Sequence, residues 1–193
     1  MSVPFPRVVQ QPAKQVPFFE KYVIPVYYLG SYWPKRYGDL SGQADSVQLL
    51  ALKEGDANAA RFFTPRLSAV LVDAPRRNIV AMPSHGVGCA PLNRGLRQII
   101  SMVPGVIDLS GCLTRRTAVP KSAKARSGQR PTMETHMGSM EIVDAARIKG
   151  QDVLLIDDVV TLGASMTAAF CLLHHAGVKS VTCLALTKTE GYD

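Results

Sequence analysis

The stretch Val153-Leu154-Leu155-Ile156-Asp157-Asp158-Val159-Val160-Thr161-Leu162-Gly163-Ala164-Ser165 decides how this chain folds. Val153 to Ile156 is the most strongly apolar β run in the sequence, of the kind that is covered on both faces in a parallel sheet. Asp157 and Asp158 close it, and a short loop through Gly163 leads into a helix from about Ala164 to Ala176, with Gly177 as its cap. Ser180 to Leu186 follows as a β-branched strand, which completes a β-α-β unit. In such sheets ligands bind beyond the carboxyl ends of the strands, which is where this reading puts the two acids. The backbone N–H groups and hydroxyls of Thr161, Leu162, Gly163, Ala164 and Ser165 can converge on a phosphate at the helix start. Paired carboxylates accept from sugar hydroxyls, so the segment suits a ribose 5-phosphate, although an isolated Asp pair would as readily cap a helix.

Working outward, Asn78 to Pro83 reads as a short buried strand, followed by a loop at Ser84-His85-Gly86-Val87-Gly88 and a helix through Leu92 to Met102. Val106 to Leu109 reads as another strand. Leu113 to Pro131 has a different character, with six basic residues and no acidic one. Met140 to Val143 resumes an apolar strand. Towards the amino end, Pro4, Pro6, Pro12 and Pro17 predict an extended arm over residues 1–20. Tyr22 to Trp33 predicts a strand or hairpin, and 44–54 and 57–69 two helices around Gly55-Asp56. The expected organisation is an arm (1–20), a small N-terminal subdomain (21–75) and an α/β core (76–193) with a flexible loop at about 113–139.

With 193 residues and 47% hydrophobic content, the chain can bury one good core. Charged residues at 19% with near-neutral hydropathy fit neither a disordered chain nor a membrane protein, no long apolar run exists, and the first thirty residues do not resemble a signal peptide. A cytoplasmic location is the expectation. Cys89, Cys112, Cys171 and Cys183 show no C-x-x-C spacing and fit reduced thiols better than a metal site. A formal charge of +7 favours anionic partners, nucleotide, pyrophosphate or nucleic acid. His174-His175 reads as a helix end complementing the dipole, and Trp33 with Tyr27, Tyr28 and Tyr32 as a half-buried aromatic strand.

The register of four apolar residues, two acids, two apolar residues, then Thr, Gly and Ser resembles the phosphoribosyl-pyrophosphate signature of type I phosphoribosyltransferases. Tyr27-Tyr28-Leu29-Gly30-Ser31-Tyr32, Arg94-Gly95-Leu96-Arg97-Gln98 and Leu113-Thr114-Arg115-Arg116-Thr117 extend the likeness to the competence-protein ComF-like branch over about residues 27–188. The resemblance implies a mainly parallel sheet flanked by helices, a hood-like N-terminal subdomain and a flexible catalytic loop. Residue by residue it implies that Asp157 and Asp158 hold the ribose hydroxyls, directly or through Mg2+ that arrives with substrate. Thr161, Leu162, Gly163, Ala164 and Ser165 would hold the 5-phosphate, and Ser84, His85 and Gly86 the pyrophosphate. Arg115, Arg116, Lys121, Lys124, Arg126 and Arg130 would stabilise the departing pyrophosphate. Two departures stand out. Leu162 replaces a small or hydroxylated residue, and the zinc element that often precedes ComF-like domains is absent.

The implied activity is transfer of phosphoribose from phosphoribosyl pyrophosphate to a nitrogen base, or its cleavage from one. The alternative is a non-catalytic module that senses a nucleotide or works in an assembly with protein or nucleic acid, in DNA uptake or phage defence. A homo-oligomer is compatible with either, and no membrane partner is expected.

Overall fold

The computed structural model describes residues 7–12, 23–34, 38–40, 42–72, 78–88, 91–120 and 130–191. In chain order these form β1 (Arg7–Pro12), β2 (Val23–Tyr32), α1 (Ala44–Glu54), α2 (Ala57–Leu71), β3 (Asn78–Ala81), α3 (Pro91–Ser101) and β4 (Ile107–Asp108). After them come β5 (Leu113–Arg115), α4 (Met133–Ser139), β6 (Met140–Ile142), β7 (Asp152–Val160), α5 (Ala164–His175) and β8 (Ser180–Thr189). Six strands join one sheet in the order β1-β2-β8-β7-β3-β4, and β5 and β6 form a separate antiparallel ribbon. Every neighbouring pair in the larger sheet is parallel except β1 with β2.

The two faces of the sheet are apolar in strict alternation. Val153 and Leu155 of β7, Cys183 and Ala185 of β8, Val80 of β3 and Val26 of β2 belong to one core cluster with Met166, Ala169 and Leu173 of α5. Leu154, Ile156, Leu184, Leu186, Ile79 and Ala81 belong to the other, with Leu49 and Leu52 of α1, Phe63 and Leu67 of α2, and Leu96 and Ile99 of α3. A period of two along each strand therefore feeds two helical layers, and the near-continuous apolar runs follow from cover on both sides.

Local chemistry fixes the helix layer that later bears on the site. Gly55 ends α1 in the left-handed region (φ 90°), and Asp56 caps α2 by accepting from the N–H groups of Asn58 (2.6 Å) and Ala59 (3.2 Å). Gly95 lets α3 lie directly on α1, because a Cβ there would sit 2.9 Å from the carbonyl oxygen of Leu52. This is the packing reason for the glycine in the Arg94-Gly95-Leu96-Arg97-Gln98 element. Asp45 accepts from the N–H of Ser31 (3.2 Å) and pairs with Arg66 (2.5 Å), which ties β2, α1 and α2 together beside Gly30.

Several expectations change. The arm over 1–20 contains a strand, β1, whose β-branched Val8 and Val9 pair with Tyr27 and Val26 at the sheet edge, where Pro12 can be accommodated at its end. Among the described residues of 21–75, β2 is an inner strand of the main sheet, and α1 and α2 share their core cluster with α3, β3, β7 and β8. The strand expected to stop at Ile156 continues to Val160, since Val159 and Val160 keep pairing with Thr187 and Lys188 of β8. The Asp pair thus lies inside a paired strand. The strand expected over 106–109 shrinks to the two residues of β4, because Leu109 turns away into Ser110–Cys112. The loop expected over 113–139 begins and ends in ordered structure, β5 and α4.

Candidate functional site

Because β3, β7 and β8 are adjacent and parallel, the segments leaving their carboxyl ends meet. Ser84 to Gly88 follows β3, Thr161 to Gly163 follows β7, and Glu190 follows β8, where its N–H donates to the carbonyl of Tyr32 (2.9 Å). The Thr161 and Thr189 hydroxyls lie 2.7 Å apart and bridge the ends of β7 and β8. Gly163 is buried and left-handed (φ 74°), which turns the chain sharply into α5, and its side-chain-free start provides no cap for the first helical N–H groups. Those groups are donors of the type that meets a phosphate.

Asp157 and Asp158 occupy the middle of this edge and differ in their surroundings. Asp158 is buried, its side chain 6% exposed, and its Oδ2 lies 2.7 Å from the Nζ of Lys53 on α1. Lys53 Nζ also stands 5.6 Å from the ring centroid of Tyr32 at the end of β2. Burial acts to lower the Lys53 ammonium, but the Asp158 carboxylate outweighs it and holds that group above its ordinary value. Asp157 accepts from the N–H of Asp158 (2.8 Å). Burial first, and then the neighbouring Asp158 carboxylate, push Asp157 well above the usual carboxylate range. Burial lowers the Arg115 guanidinium, and the Asp157 carboxylate acts against that shift.

Arg115 is a fixed strut in the floor of the site. It is buried, its Nε donates to the Ser84 carbonyl (2.6 Å), and a terminal nitrogen donates to the Ser139 hydroxyl. The expectation of a mobile cation over the leaving group does not suit a guanidinium enclosed and bonded in this way. Val119 N–H donates to the His85 carbonyl (2.9 Å), so the β5 segment holds the Ser84-His85-Gly86 loop at two places. Arg116 is exposed, and its guanidinium donates twice to the Gly138 carbonyl (3.1 and 3.0 Å). Lys121, Lys124 and Arg126 lie outside the described residues, and so does Cys89. Leu162, 60% exposed, projects from the loop between β7 and α5.

Lys53 is the residue the sequence reading missed. A lysine in a last helical turn is usually there for the dipole, but Lys53 follows the buried Leu49 by four residues and so continues the sheet-facing stripe of α1. That stripe position was the available signal. Among the described residues no three His, Cys, Asp or Glu side chains gather as a metal site, and no helix is long and apolar enough to cross a membrane. Cys112, Cys171 and Cys183 are free and buried.

A mostly parallel α/β sheet with an acid pair and an open helix start at one strand end defines a nucleotide- or sugar-phosphate-binding class of protein. A family model described as phosphoribosyl transferase domain matches residues 88–191, and the chain belongs to that family. Its sheet and helix layers are those of the type I phosphoribosyltransferase fold. Membership implies binding of phosphoribosyl pyrophosphate or a nucleotide and, in general terms, phosphoribosyl transfer. A comparison with curated proteins finds no match.

Proposed function

We propose that this protein, as a ComF-like type I phosphoribosyltransferase, binds phosphoribosyl pyrophosphate and transfers its phosphoribosyl group to a nitrogen base, or cleaves that group from one. The observation that carries the reading is the carboxylate pair near the end of β7, with Asp158 held by Lys53, followed after a short loop by the start of α5, which has no side-chain cap. In the proposed reaction the bond from the anomeric carbon to pyrophosphate breaks, the sugar gains oxocarbenium character, and a nitrogen nucleophile forms the new bond. Asp157 and Asp158 orient the ribose, Thr161 to Ser165 hold the 5-phosphate, and Ser84 to Gly86 receive the pyrophosphate. Positioning and charge supply most of the rate. Two adjacent carboxylates, with no third His, Cys, Asp or Glu gathered beside them among the described residues, fit magnesium held mainly by substrate oxygens and water. Mg2+ would then supply positive charge at the diphosphate, with Asp157 and Asp158 as its protein contacts.

Trp33 is the sole tryptophan and directly follows Tyr32, whose ring lies near Lys53, which makes it the fluorescence probe of choice. Titration with phosphoribosyl pyrophosphate and Mg2+ is expected to change it saturably, and pyrophosphate release with a panel of bases measures turnover. Failure of the wild-type protein to bind the ligand would sink the reading. Leu162 favours a second one: its exposed, apolar side chain cannot donate to phosphate as a hydroxyl would, which suits a nucleotide-sensing or assembly module working in DNA uptake or phage defence. Binding without pyrophosphate release from any base would select that alternative. Salt-sensitive retention on DNA would bring nucleic acid in as its partner.

A further inference from the structure

We propose that Lys53 is a positioning residue for ribose recognition: from the α1 layer it fixes the Asp158 carboxylate in one orientation, so that the acid pair presents a set of acceptors to the sugar diol. The inference rests on the reading of Asp157 and Asp158 as ribose-binding acids.

Its basis is the geometry. Two consecutive carboxylates in one strand repel each other, and an unrestrained second one would turn towards water. Asp158 does not, because Lys53 Nζ lies 2.7 Å from its Oδ2 while the side chain is only 6% exposed. Lys53 is itself held. It leaves the last turn of α1 just before Gly55, the Tyr32 ring lies beside its ammonium, and α1 is clamped to α3 at Leu52 and Gly95. Its side chain remains 30% exposed, which leaves the ammonium at the border between core and site. The pairing also removes one unit of net negative charge from a site meant for a polyanionic ligand, where every uncompensated carboxylate weakens binding. Arg115 is tied elsewhere, its Nε donating to the Ser84 carbonyl and one terminal nitrogen to the Ser139 hydroxyl.

A diol-positioning role acts on the ribose hydroxyls and leaves the 5-phosphate contacts alone. The test compares ribose 5-phosphate with 2-deoxyribose 5-phosphate by calorimetry on wild type, Lys53→Met and Lys53→Arg, with melting temperatures alongside. Wild type is expected to prefer the ribose compound. Lys53→Met is expected to lose roughly tenfold in affinity for it, the scale of one charge-assisted contact, and to bind both sugars about equally. Lys53→Arg should restore the preference. If Lys53→Met does not fold, Lys53→Gln serves in its place. A folded neutral variant that keeps the wild-type preference would overturn the role of Lys53 alone. Wild type that binds neither sugar phosphate would instead overturn the functional reading beneath it.

Discussion

Asp157 and Asp158 are identical in formula and adjacent in sequence, yet substitution should treat them differently. Asp158 has a cationic partner, so Asp158→Asn leaves Lys53 against an uncharged amide. The expected cost is about 1–2 kcal/mol, less than for a fully enclosed pair because Lys53 reaches solvent. Asp157 is held protonation-prone by burial and by Asp158. Asp157→Asn relieves that conflict and is expected to leave urea stability unchanged or higher. Both substitutions should weaken phosphoribosyl pyrophosphate binding at least tenfold in a Trp33 titration. The opposite ordering of stabilities would show that the ion pair is not what anchors Asp158. The residue types of the site were legible because acids, Gly163 and hydroxyls sit in one short run. Lys53 and Arg115 were harder to read: the first depends on which stripe of α1 meets the sheet, the second on a loop folding back under β3.

The elements around the site carry their own pH signature. His136 of α4 is buried, its Nδ1 has no hydrogen-bond partner among the described residues, and burial followed by the Arg115 charge lowers it from 6.5 to about 4. The folded value lies below the unfolded one, so the unfolded chain takes up the proton first as pH falls. Stability is therefore complete above pH 6.5 and declines from there towards pH 4. Urea midpoints measured between pH 7.5 and 4.5 should drop for wild type, and His136→Leu should flatten that part of the profile. An unchanged slope in the variant would assign the acid sensitivity to other groups. Helices α1, α2, α3 and α5 were readable from apolar spacing and the Gly55-Asp56 punctuation. The strand read at Met140 to Val143 is β6, whereas the short α4 and β5 were hidden, since too few residues form them for a periodicity to emerge.

For the whole molecule, the decisive fact is that β2, α1 and α2 share one core with the strands of the site. The strand and two helices read over 21–75 gave a small subdomain, but pairing of β2 with β8 is a tertiary decision that local sequence does not announce. Phe63 is fully buried between α2 and that shared core. Phe63→Ala is expected to cost about 3–5 kcal/mol. It should lower the whole transition, with Trp33 fluorescence and far-ultraviolet dichroism melting together. Separate transitions for the two probes would restore the subdomain as an independent unit.

The sheet order also bears on how the protein is made. Val26 pairs with Cys183, so the strand that closes the gap between β2 and β7 leaves the ribosome after every other strand of the sheet. Until it arrives, β2 and β7 each expose an unpaired inner edge, and the acid pair lies along one of them. Such long-range closure slows folding and leaves nascent chains open to aggregation. The site's central strand thus acquires its second neighbour only when synthesis has passed residue 180.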